Sequence, residues 1–111
     1  MPTLDLQSAH HRRLLELLAE HAPEAEVWAY GSRVNGQAHD GSDLDLVVRN
    51  RAAPDQPFQR LYLLRDALEE SALPILVEVL DWAEVPDAMR REVERSHIVL
   101  RSPAEVSRLA N

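Results

Sequence analysis

The chain has 111 residues, a formal net charge of −7, 45% apolar and 28% charged side chains; this is too apolar for a disordered segment, and the length predicts a single domain, 1–111, able to bury ~65% of its unfolded surface. Without cysteine it can form no disulfide, zinc–thiolate site or cysteine nucleophile. Its 12 basic residues are all arginine, so a Walker A lysine and a Schiff base are excluded, and the acidic balance argues against direct nucleic-acid binding.

Leu14, Leu17 and Leu18 recur at helical spacing, predicting an amphipathic helix over 6–21 that Ser8 could cap and Pro23 stops. Glu26–Tyr30 then reads as a short strand ending at Gly31-Ser32. Residues 33–42, with Gly36, His39, Asp40 and Gly41, read as a loop with room for a helical turn. Leu44–Arg49 is a second strand, followed by a Pro54- and Pro57-containing connection. Phe58–Ala72 is a second helix with Phe58, Leu61, Leu64 and Leu68 on its apolar face. Ile75–Leu80 is a third strand, and Asp87–Ser96 a third helix with Ala88, Met89 and Val93 inward. Ile98–Leu100 is a final strand or a packing segment, and 102–111 a frayed tail. This order predicts an α/β fold, a sheet with helices packed on it; it leaves open which strands run parallel. No basic-apolar leader opens the chain and no apolar run nears the ~20 residues that span a bilayer, so a cytoplasmic setting is expected.

The chemistry concentrates in Tyr30-Gly31-Ser32-Arg33 and Gly41-Ser42-Asp43-Leu44-Asp45. Side chains alternate along a strand, so Asp43 and Asp45 share a face with Cα atoms ~6.6–7 Å apart. Two carboxylates so placed repel unless a cation lies between them, and oxygen-only ligands suit magnesium or manganese. Gly31 lets backbone approach a ligand; Ser32 and Arg33 could bind phosphate. A phosphate cradle beside a carboxylate pair points to metal-assisted phosphoryl or nucleotidyl transfer. Glu78, the sole charge inside an apolar strand, is the expected third carboxylate, costly to bury unless paired, and Asp81 is the fallback. The bland alternatives are ordinary ones. Gly-Ser-Asp is common turn chemistry, Ser32 could serve as a helix cap, Arg33 and Glu78 could be surface residues, and Arg90-Arg91 a solvated helix face. His39 lies near enough to touch a nucleotide; Trp28 reads as core, Trp82 as core or contact surface.

Gly31-Ser32, ten residues, then Asp43-Leu44-Asp45 resembles the GSX10DXD signature of the polymerase-β-like nucleotidyltransferase superfamily, and the length is similar to its minimal, stand-alone members. The resemblance covers about residues 10–101. It implies a small mixed sheet with helices against it. It also implies two magnesium ions on Asp43 and Asp45, with Glu78 at the third carboxylate position, and Gly31 and Ser32 holding the triphosphate; Arg33 and Ser42 complete the candidate nucleotide-binding set. Minimal members are often encoded beside a HEPN-domain toxin. The resemblance therefore implies an antitoxin that moves AMP from ATP onto a tyrosine of that toxin. Two positions depart from the pattern: glutamate stands at 78 in place of aspartate, and Asn35 where many relatives carry arginine. The other readings are an antitoxin that neutralises its partner by binding alone, and nucleotidyl transfer to a small molecule, whose enzymes usually carry a further helical domain.

Overall fold

The computed structural model describes residues 3–39 and 41–102. The elements run α1 (Ser8–His21), β1 (Ala25–Tyr30), α2 (Ser32–Asn35), β2 (Leu44–Asn50), α3 (Leu61–Glu70) and β3 (Val77–Asp81). A 3-10 turn at Trp82–Glu84, α4 (Asp87–Arg95) and β4 (Ile98–Arg101) complete the order. Ile98–Leu100 is thus a strand; Asp40 and 103–111, most of the expected tail, lie outside the described residues. Helix ends are shorter than periodicity suggests. The N-cap of α1 is Gln7 with no side-chain cap, so Ser8 is a helical residue and not the cap. Phe58 precedes α3 but still packs against the core.

The sheet is mixed, in the order β3-β2-β1-β4. β1 runs antiparallel to β2 and to β4, and β2 runs parallel to β3. Alternation sorts each strand onto two faces. Ala25, Val27 and Ala29 of β1, Leu44, Leu46 and Val48 of β2, and Val79 of β3 face Leu14, Leu17 and Leu18 of α1 and Leu61, Leu64 and Leu68 of α3. This is the larger core, and removing a Leu46-sized side chain from such a site costs about 2–5 kcal/mol. The opposite face carries Trp28, Val47, Trp82, Val85 and Val93, with Tyr30, Leu80 and Met89 at its margin. Ala88, expected inward, is exposed, because the one turn of α4 that reaches the sheet does so through Met89 and Val93. Among the described residues no helix is long and apolar enough to cross a membrane.

Candidate active site

The second face has two ends. At one end β1 and β2 place Tyr30 opposite Asp45, and β2 and β3 place Asp45 opposite Glu78. In-register neighbours point to the same side of a sheet. Tyr30, Asp45 and Glu78 therefore form a row across three strands, with Asp43 two residues before Asp45 at the strand mouth. The row explains the titration of its members. Burial raises the Asp45 carboxyl above its ordinary value, and the negative charges of Glu78 and Asp43 raise it further. Burial, then Asp45, then Glu78 push the Tyr30 phenol up to about 12. Tyr30 is thus a neutral hydroxyl beside an acidic pair.

Gly31 turns the chain out of β1 at φ 83°, a conformation that disfavours any side chain. A Cβ there would stand 2.5 Å from Oδ2 of Asp45. The glycine expected to admit a ligand therefore first admits the Asp45 carboxylate. Ser32 opens α2 directly behind it and is half-buried. Ser42 lies in a tight loop: its Oγ accepts from the His39 N–H at 2.9 Å, and its own N–H donates to the His39 carbonyl at 2.9 Å. The His39 ring is likewise engaged, accepting from the Gly41 N–H.

Three expectations need correction. Arg33 is buried, and its guanidinium donates to the Ser42 carbonyl at 3.0 Å and the Asp5 carbonyl at 2.8 Å. These bonds hold the loop ahead of Asp43, and the burial of Arg33 corrects the alternative of a surface arginine. Glu78 is not a buried lone charge: β3 is an edge strand and Glu78 is exposed, on the same face as Asp45. Asp81, the fallback, pairs in register with Val48 and so faces the larger core. Its carboxylate accepts from the Phe58 and Ala83 N–H groups at 2.8 and 3.1 Å, tying the connection before α3 to the 3-10 turn.

The donor set fits a hard divalent cation: all oxygen, one sign of charge, and a glycine cleared against one carboxylate. Among the described residues no three acidic or histidine side chains are gathered tightly enough to form a ready-made ligand cage. Electrostatic reach exceeds ligand reach, so Asp43 and Glu78 are felt at Asp45 without sharing one point with it. A cavity of about 260 Å3 opens beside the row, lined by Tyr30, Gly31, Asn35, Met89, Glu92 and Ser96. This cavity, and what the Tyr30 side chain faces, escape a reading of the sequence. The signal for Tyr30 is its place one residue before Gly31-Ser32, but only strand register shows which side chain it faces.

The other end of the face is also acidic in origin but neutralised. Glu26 is buried and paired with Arg49 and with Arg51, the latter at 2.9 Å. The Arg49 guanidinium lies 4.5 Å over Trp28 and 5.0 Å over Trp82. Arg90, expected to be solvated, lies 5.1 Å over Trp82 and donates to its carbonyl and to Asp55. Trp28, as expected, is core, stacked on His97 at 4.0 Å; Trp82 is core as well.

Comparison with known proteins places these features. The family described as polymerase beta, nucleotidyltransferase, matches residues 13–105. A curated protein of Haemophilus influenzae, probable protein adenylyltransferase MntA, is 35% identical over 98 residues, covering 88% of this chain and 84% of the relative. Two solved structures share the fold. One, a toxin–antitoxin with AMP-PNP, superposes with a TM-score of 0.67 at 20% identity, over 89% of this chain and 78% of its own. The other, the toxin–antitoxin MntA-HepT, gives 0.61 at 18% identity, over 93% and 79%.

Proposed function

Given that the chain belongs to the polymerase β nucleotidyltransferase family, we propose that it is a protein adenylyltransferase that moves AMP from ATP to a tyrosine hydroxyl of a HEPN-type toxin, and so acts as its antitoxin. The observation that carries this reading is the Asp45–Glu78 register, which sets two carboxylates side by side on an open sheet face with Asp43 at the mouth. The adenylyltransferase relative and the toxin–antitoxin neighbours support the substrate and partner classes. The reading takes 1–111 as a single minimal domain acting in the cytoplasm.

Asp43, Asp45 and Glu78 would hold magnesium or manganese, which would supply Lewis acidity at the phosphates and at the acceptor hydroxyl. The chain's own residues do the rest. The Gly31 turn leaves room for the Asp45 carboxylate, and the Ser32 and Ser42 hydroxyls would donate to phosphate oxygens. Arg33 fixes the loop that carries Ser42 and Asp43. In the transfer, the acceptor oxygen bonds to the α-phosphorus while the bond to the β-phosphate oxygen breaks. Pyrophosphate leaves and the hydroxyl proton passes to solvent.

The test is transfer of label from ATP, with magnesium, to the helical protein encoded next to this chain. Label on a tyrosine of that protein, lost with Asp43→Asn plus Asp45→Asn, is the expected result; no label from a folded wild type refutes the reading. The exposure of Glu78 and the absence of a ready cage among the described residues favour one other reading, neutralisation by contact alone. In that case the double variant still protects cells from the partner at native expression.

A further inference from the structure

The free edge of β3 has features the reading above does not use. The Leu76 carbonyl accepts from the Leu44 N–H at 2.9 Å, so it points at β2. The Val79 carbonyl accepts from Nε and an Nη of Arg65 at 3.2 and 2.6 Å, so it points away from the sheet. In a parallel pair the residues alternate in this respect, which turns the N–H and carbonyl of Val77 outward as well. The edge is thus closed by an arginine at Val79 and presents backbone groups at Val77.

Along this edge runs a groove of about 510 Å3 between α3 and β3. Its floor includes Leu68, Leu73 and Ile75, and its rim includes Leu76, Glu69 and Glu78. Leu76 is 66% exposed, an unusual position for a leucine on a sheet edge. Glu78 belongs both to this rim and to the carboxylate row, so the groove opens onto the site. Arg65, the cation in its lining, is spent on the Val79 carbonyl, whereas Glu69 and Glu78 are exposed acids.

We propose that this groove docks the acceptor: an extended segment of the modified protein, bearing basic and apolar side chains, pairs with the backbone of Val77 and presents its hydroxyl residue beside Glu78. The proposal rests on the adenylyltransferase reading and deepens it. Edge pairing supplies direction and register, the leucine-lined floor takes an apolar side chain, and Glu69, the exposed rim acid outside the carboxylate row, selects a basic neighbour. A carboxylate that is exposed is poorly shielded as a metal ligand until something covers it, and the docked segment is what covers Glu78.

Leu76→Ala combined with Glu69→Arg tests the proposal, since both side chains are exposed and neither lies in the carboxylate row. Steady-state transfer to the protein acceptor is measured alongside ATP binding by calorimetry and thermal melting. The expected result is a KM for the acceptor raised about tenfold or more, with kcat at saturating acceptor, ATP affinity and melting unchanged. Reversal of acceptor basic residues to glutamate restores the pairing with the Glu69→Arg variant in part and lowers KM again. An unchanged KM overturns the docking site, as does an effect that appears equally in ATP affinity. Wild type and Asp43→Asn plus Asp45→Asn, run in parallel, separate the two ideas: no label from folded wild type means the enzymatic reading itself has failed, and label from the double variant means the carboxylate site is misassigned, whereas a failure of docking alone leaves wild-type transfer intact and the double variant inactive.

Discussion

One sheet face carries acids at both of its ends, and their neighbours differ in sign. Glu26 is buried between two arginines, one of them stacked over two tryptophans. Asp45 is less buried, yet the groups that perturb it are both acidic, and its carboxyl is raised for that reason as well as by burial. A paired acid fixes two strands and a connection to one another. An acid placed among acids stores repulsion that a cation or a substrate can relieve, which is how function is commonly written into a pKa. The contrast separates scaffold from site more sharply than exposure does.

The largest expected effect comes from neutralising the end where acid faces acid. Asp45→Asn lowers the transfer rate by about 10²–10³-fold, read as kcat/KM for labelled ATP. Magnesium then no longer raises the melting temperature, whereas at ten times its dissociation constant it adds about 1.4 kcal/mol to the wild type. At the paired end the sign reverses. Arg49→Ala leaves Glu26 with only Arg51 and removes two ring contacts, so stability falls by about 2–3 kcal/mol in urea titration, while the rate per folded molecule holds. If Arg49→Ala instead abolishes transfer without unfolding, the division between the ends is wrong.

Gly31→Ala sits on the border. The backbone at φ 83°, ψ −156° alone costs a non-glycine residue about 1–3 kcal/mol, and the new Cβ displaces Asp45, so rate and stability fall together. The smallest effect is in the pH dependence of stability without divalent cations. The folded Asp45 carboxyl titrates above its ordinary value of 3.8. The unfolded chain therefore loses that proton first, and stability declines as pH rises from about 3.8 through the raised folded value. Asp45→Asn flattens that slope in thermal melts, and a slope that persists in the variant assigns it to another group. The same variant brings the Tyr30 ionisation, pushed up to about 12, to lower pH in an ultraviolet titration.

What the sequence discloses about this molecule is local. Leucine spacing in α1 and α3, the prolines that end elements and the Gly31-Ser32 to Asp43-Asp45 interval all lie within one or two elements, and the two-residue step from Asp43, just ahead of β2, to Asp45 within it is legible in the same way. What it hides depends on which strands meet. The parallel pairing of β2 with β3 decides that Glu78 stands beside Asp45 and that Asp81 faces away, and no periodicity encodes it. Glu78 reads as buried in sequence because its strand is apolar; the strand is apolar on account of the core behind it, and it lies at an edge. Arg33 and Arg90 look like surface charges in sequence because their partners, the carbonyls of Asp5, Ser42 and Trp82, are backbone atoms with no signature of residue type. The Glu26–Arg49 pair spans 23 positions and is equally invisible.

The Arg33 clasp has a practical bearing. Asp5 donates its N–H to the Arg33 carbonyl at 2.6 Å and receives the guanidinium on its own carbonyl, while the same guanidinium grips Ser42. The stretch ahead of α1 is therefore a strut for the loop that leads into Asp43. Proteolytic trimming to Leu6, which removes the Asp5 bonds of buried Arg33 and the Leu4 side chain packed on the core, is expected to surface as lost turnover together with a lowered melting temperature.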